Sequence, residues 1–214
     1  NTALVYRFTR DGDQAQALNI NFSVTGGTAG SAEFVVDDSP ANVTFSGTTG
    51  VIVLAGGSGS FDLSITPVGD DLVELDETIQ VNVLAQTPLD TTYNVGVPVS
   101  GTGTITNDDM ASLSIGNVTA EENGTFTFTI SSDLMSSEDL TVRVNTGDGT
   151  ATVGGGDYTA ISNLLATITA GTLSTTVDVD VTNDDVVEAD ETFSVTISDP
   201  RFDGVTDGTR VVIS

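Results

Sequence analysis

Leu173-Ser174-Thr175-Thr176-Val177-Asp178-Val179-Asp180-Val181-Thr182-Asn183-Asp184-Asp185-Val186-Val187-Glu188-Ala189-Asp190-Glu191-Thr192-Phe193-Ser194-Val195-Thr196-Ile197 is a pair of alternating runs joined by an acidic turn. Val177, Val179 and Val181 alternate with Asp178 and Asp180, so apolar side chains fall on one face of a strand and carboxylates on the other. The same arrangement stands 114 residues earlier, where Gly69-Asp70-Asp71-Leu72-Val73-Glu74-Leu75-Asp76-Glu77-Thr78-Ile79 lies between Phe61, Leu63, Ile65 and Ile79, Val81, Val83. A strand–acid turn–strand unit that recurs at this distance describes two tandem strand-built domains.

Outward from these turns the period stays at two. Phe126, Phe128 and Ile130 alternate with threonine, no stretch keeps helical spacing, and Asn, Asp and Gly punctuate short Thr- and Val-rich runs. The fold class expected is all-β, with two tandem immunoglobulin-like antiparallel β-sandwiches. The second copy reads as seven strands near 112–118, 124–131, 139–146, 163–169, 173–182, 191–198 and 208–213. The first reads as six or seven, distributed over 4–10, 17–24, 33–36, 43–46, 51–54, 59–67, 77–84 and 101–106, with the short middle pair in question. The expected domains are 1–109, lacking a counterpart of the 112–118 strand, and 110–214, lacking a counterpart of Asn107-Asp108-Asp109. Because the chain opens in mid-pattern, it is expected to be part of a longer protein. The join at Asp109-Met110 leaves almost no linker, since Leu113 already begins the next alternating strand.

Composition narrows the chemistry. There are 31 acidic residues against five arginines, with no lysine, histidine or cysteine, and the net charge is −26. Nothing on such a surface neutralises phosphates, which argues against nucleic acid and against an anionic membrane. No run approaches the ~18 apolar residues of a membrane span, so direct membrane insertion is not expected. Without Cys or His, zinc and other transition metals lose their usual ligands, and only oxygen donors remain. Five carboxylates within the eight residues Asp70–Glu77 repel one another unless a cation sits among them. Hard divalent ions, Ca2+ first, match such donors. A carboxylate-pair glycosidase needs a cleft with aromatic platforms. The chain has nine Phe, three Tyr and no Trp, mostly at inward strand positions, so no enzyme is expected.

The two copies resemble Calx-beta domains. In the second copy the resemblance rests on Glu121-Glu122-Asn123-Gly124, Asp148-Gly149-Thr150-Ala151, Asp157-Tyr158, Ala170-Gly171 and Asn183 to Phe193, in family order. The first copy keeps Gly27-Thr28-Ala29, Gly69 to Ile79 and Asn107-Asp108-Asp109, and has Glu33-Phe34 where Asp-Tyr is usual. The family occurs in sodium–calcium exchangers, an integrin beta subunit and large extracellular bacterial proteins. The resemblance implies Ca2+ ligands drawn from the glutamate after the first strand, the Asp of Asp-Tyr, the acidic turn and the terminal acids. In this chain those positions are Glu33, Asp70, Leu72 (through its carbonyl), Glu74, Glu77, Asp108 and Asp109 for copy one, with Asn107 beside them. For copy two they are Glu121 (or its neighbour Glu122), Asp157, Asp184, Val186 (through its carbonyl), Glu188 and Glu191.

The resulting expectation is a non-catalytic calcium-binding module of a cell-surface or secreted protein. Ca2+ would order the loops and stiffen the junction for adhesion or spacing, with protein or glycan ligands reached through the parent protein. The alternatives are a Ca2+ sensor region that regulates a membrane transporter, and a metal-free structural spacer. Within the second acidic turn, Val187 and Ala189 can face inward while the acids project toward the loop side.

Overall fold

Alternating β-branched and aromatic residues make short strands wherever one face can be buried, and 15 of them form among the described residues. The computed structural model describes residues 2–86, 93–122, 124–183, 187, 189–202 and 210–214. By contact the chain divides into two compact units, Asn1–Asp70 with Asp76–Thr106, and Asp71–Leu75 with Asn107–Ser214. Among the described residues no helix is long and apolar enough to cross a membrane.

The first unit holds β1 (Leu4–Thr9), β2 (Leu18–Gly26), β3 (Phe34–Val36), β4 (Val43–Ser46), β5 (Thr49–Leu54), β6 (Ser60–Pro67), β7 (Glu77–Leu84) and β8 (Ser100–Ile105). All eight expected runs form, so among its described residues this copy has eight strands rather than six or seven. They build a sheet of order β4-β5-β2-β7-β8 and a second of order β1-β6-β3, with every pair antiparallel. Phe8, Leu63 and Ile65 from one sheet pack with Phe22, Ile52, Leu54 and Ile79 from the other. Phe22 is the hub, edge-on to Phe8 and stacked on Phe45, with ring centroids 5.8 Å away in each case.

The second unit holds β9 (Ala111–Ile115), β10 (Gly124–Ser132), β11 (Leu140–Asp148), β12 (Leu164–Ile168), β13 (Ser174–Val181), β14 (Phe193–Phe202) and β15 (Val211–Ile213). Its sheets run β13-β10-β9-β15 and β12-β11-β14. One pair departs from the antiparallel expectation, because β15 runs parallel to β9, with Val211 opposite Ala111. Leu113, Ile130 and Val177 close the core against Leu140, Val142 and Ile168.

Two departures stand out, the first with a local cause and the second with a long-range one. Asp199-Pro200 reads as a strand end, yet β14 continues to Phe202. The pairing steps from Arg143–Ser198 to Thr141–Arg201, so the extra residue is absorbed as a bulge in which Asp199 takes a φ of 50°. The second departure concerns residues 71–75. Val73 is fully buried in the core of the second unit and forms a parallel bridge with Ser136. Its N–H donates to the Met135 carbonyl at 3.0 Å, and its own carbonyl accepts from Ser137 N at 2.9 Å.

Candidate metal centre

Gly-Thr-Ala occurs once in each copy, and in both it clasps the threonine of Asp-Glu-Thr. In the first unit the N–H groups of Gly27, Thr28 and Ala29 converge on the Thr78 carbonyl at 2.7, 3.2 and 3.2 Å. Thr78 N donates to Thr28 Oγ1 at 2.9 Å, and Thr28 N also reaches Thr78 Oγ1 at 3.2 Å. In the second unit Ala151 N donates to the Thr192 carbonyl at 3.0 Å, and Thr192 N donates to Thr150 Oγ1 at 2.8 Å. The glycine is required by closeness. A Cβ on Gly27 would stand 2.1 Å from Thr78 Oγ1, and one on Gly149 would stand 2.2 Å from the Thr192 carbonyl oxygen. The clasp thereby fixes the backbone one residue beyond Glu77 and Glu191.

A second repeated bond places the other acid. The Glu33 carbonyl accepts from Val68 N at 2.8 Å, and the Asp157 carbonyl accepts from Thr182 N at 2.9 Å. Val68 and Thr182 each directly precede the acidic turn, at Gly69 and Asn183. Glu33 and Asp157 are therefore structural equivalents. Glu33 also accepts a very short hydrogen bond from Gly30 N on Oε2, while Asp157 Oδ2 accepts from Thr152 N at 2.6 Å.

In the first unit these two devices bring Glu33 and Glu77 together, with carboxylate oxygens within 4.8 Å of each other. Oxygens bound to one Ca2+ at ~2.3–2.6 Å stand at most about 5 Å apart across the ion, so this pair fits a single hard cation. Asp70 is exposed just beyond β6. Leu72, Glu74, Asp108 and Asp109 belong by contact to the second unit. There Asn107 is a bracket rather than a free ligand, since its Oδ1 accepts from Glu74 N at 3.2 Å and its Nδ2 donates to the Asp109 carbonyl at 2.7 Å. The Glu74 carbonyl accepts a very short bond from the Arg210 guanidinium, which also lies 5.9 Å from the Phe202 ring centroid.

In the second unit Glu121, Glu122, Asp157, Asp190 and Glu191 line one cleft of ≈1040 Å³. Asp190 is an addition that the sequence pattern did not single out, although its place beside Glu191 in both repeats was visible. The ion pairs Arg7–Asp62 and Arg201–Asp199 involve none of these five acids. Asp184, Val186 and Glu188 lie outside the described residues. Val187 is 99% exposed and Ala189 is exposed, so neither takes the inward orientation that the sequence allows. Alternation governs strands, and β14 begins only at Phe193, so it does not govern this turn.

The aromatic next to Asp157 is anchored independently. Tyr158 stacks on Phe193 at 4.6 Å between ring centroids, and its hydroxyl donates to Asp148 Oδ1 at 2.6 Å. Burial, and then the Asp148 hydrogen bond, push the Tyr158 phenol up. The same Tyr158 bond, with Val153 N at 3.0 Å, holds the Asp148 carboxyl below its ordinary value. In copy one Gly26 stands at the position of Asp148 and Phe34 at that of Tyr158, so donor and acceptor are missing together.

Residues 108–213 match the Calx-beta domain family. No curated protein sequence gives a significant match. Among solved structures, the calcium binding domain CBD12 of CALX1.1 aligns over 96% of this chain and 76% of its own, at 18% identity and a TM-score of 0.42. CBD12 from CALX1.2 aligns over 96% and 77%, at 20% identity and a TM-score of 0.41.

Proposed function

Since the chain belongs, through residues 108–213, to the Calx-beta domain family, we propose that it is a non-catalytic Ca2+-binding module. The observation that carries this reading is the approach of the Glu33 and Glu77 carboxylates in the first unit, with the matching acids Asp157 and Glu191 lining one cleft in the second. Ca2+ would be held by Glu33 and Glu77 with Asp70 in the first unit. Glu121, Asp157 and Glu191 would hold it in the second, together with Asp184, the Val186 carbonyl and Glu188. A bound divalent ion supplies charge that relieves carboxylate repulsion, and it adds RT ln(1 + [Ca2+]/Kd) to the stability of the folded state. That is ~1.4 kcal/mol per site at a tenfold excess over Kd.

In this reading the module serves a cell-surface or secreted protein as an adhesive or spacing segment. Ca2+ orders the acidic loops within each unit. Protein or glycan ligands would be met through the rest of the parent protein. Thermal melting of chelator-stripped protein with and without Ca2+ tests the proposal. A rise in Tm that is lost in Glu77→Ala plus Glu191→Ala supports it, and no rise at millimolar Ca2+ rejects it. One observation favours a metal-free spacer instead, namely that Glu33 and Asp157 already accept backbone N–H bonds from Gly30 and Thr152. Under that reading the double variant and the parent melt alike at every Ca2+ concentration.

A further inference from the structure

The outer face of the sheet β4-β5-β2-β7-β8 carries no charge. Ile20, Phe22, Val24, Ile52, Ile79 and Val81 point into the first unit's core, so the alternate residues of these strands stand on the solvent side. Along 44–46, 49–53, 19–25, 78–84 and 100–104 those alternate residues are Thr, Ser, Asn, Gln, Val or Leu throughout. Each other outer face holds charge. Arg7 and Asp62 stand on β1-β6-β3, Asp178 and Asp180 on β13-β10-β9-β15, and Arg143 on β12-β11-β14. A neutral face is out of keeping with a chain of 31 acids and a net charge of −26.

The centre of this face is a row of amides. Register pairs Thr25 with Gln80, Ser23 with Asn82 and Asn21 with Leu84, so Asn21, Asn82 and Gln80 follow one another across the two central strands, about 7 Å apart. Gln86 Nε2 donates to the Asn19 carbonyl at 3.2 Å and lengthens the row. Asn82 Nδ2 reaches Ser23 Oγ at 3.4 Å, and one such bond uses only half of a carboxamide's donors. At the end of the row the Tyr93 hydroxyl bridges the strands. It accepts from Asn21 N at 3.2 Å and donates to the Leu84 carbonyl at 2.5 Å, which sets a half-buried aromatic ring beside them.

The chemistry of the face selects its occupant. Carboxamides and hydroxyls donate and accept alike, as sugar hydroxyls do, and Val51, Val53 and Leu84 among them offer apolar contact to sugar C–H groups. An anionic polymer meets no cation here and is repelled by the charge of the whole chain. A cationic one meets no acid on this face, and a peptide strand pairs with a sheet edge rather than with a face.

We propose that this face binds a neutral polysaccharide, held by Asn21, Gln80 and Asn82 beside Tyr93. The site lies on the first unit itself, uses none of the acids assigned to Ca2+, and does not need the ion.

The test runs the whole chain, with chelator present, through native gels that contain mixed-linkage β-glucan, galactomannan or alginate. At least one of the two neutral polymers slows the chain relative to a polymer-free gel, and anionic alginate does not. Asn21→Ala plus Asn82→Ala raises the apparent Kd by about tenfold, the loss expected when one or two net hydrogen bonds go. Gln80→Glu keeps the side chain's size, adds a charge, and weakens retention in the same way should the double variant fail to fold. Melting temperatures within about 2 °C of the parent separate lost binding from lost structure. No slowing by either neutral polymer, equal slowing by alginate, or folded variants that are slowed like the parent overturns the inference. Sedimentation that shows a dimer growing with protein concentration and lost in the same variants also overturns it, because a second copy then covers the face.

Discussion

Gly149 faces a backbone carbonyl at 2.2 Å from where its Cβ would be, whereas Gly147 faces only the Ser194 hydroxyl at 2.9 Å. A carbonyl in a clasp cannot move aside as a serine rotamer can. Gly149→Ala is expected to cost about 1–3 kcal/mol by overpacking, and Gly147→Ala clearly less, as urea midpoints will show. The Asp148–Tyr158 bond gives a pH prediction. Asp148 has its folded pKa lowered, so its contribution is present above the ordinary carboxylate value and is lost as pH falls through the folded one. Tyr158→Phe should therefore lower stability at pH 7 and make little difference in strong acid, where parent and variant converge. An unchanged gap in acid contradicts this. At this scale the sequence showed which residues recur but not which atoms meet. Gly-Thr-Ala and Asp-Glu-Thr both stood out as repeated motifs, yet their clasp joins residues 50 apart in one copy and 42 in the other.

Period two made the strands legible, because a half-buried strand must alternate. β6, β7, β10 and β13 stand almost where their alternation puts them. Segment 71–75 was not legible, since its partners lie more than 60 residues on and no local pattern announces them. Val73 and Val187 hold the same place in the repeated motif, but one is fully buried and the other 99% exposed. Val73→Ala should cost about 1–3 kcal/mol through lost burial, read as faster amide exchange in β10. Val187→Ala should stay within ~0.5 kcal/mol of the parent. Equal effects would show that residues 71–75 do not belong to the second core.

For the whole molecule, the count of acids over bases made a hard cation the natural partner, and the doubling of the motif made two sites the natural number. In the sequence Glu33 and Asp157 were matched only through the resemblance to Calx-beta domains, because different acids are followed by different aromatics. The shared bond to the residue before each turn shows that they are the same position. Calorimetric titration of Ca2+ into chelator-stripped protein, repeated on Glu77→Ala and on Glu191→Ala, tests most directly whether these acids hold the ion. If they do, the parent gives saturable heat, and each variant loses the sites of one unit while keeping those of the other. An absence of heat at millimolar Ca2+, or variants that titrate like the parent, would contradict a metal centre built on the two clasps.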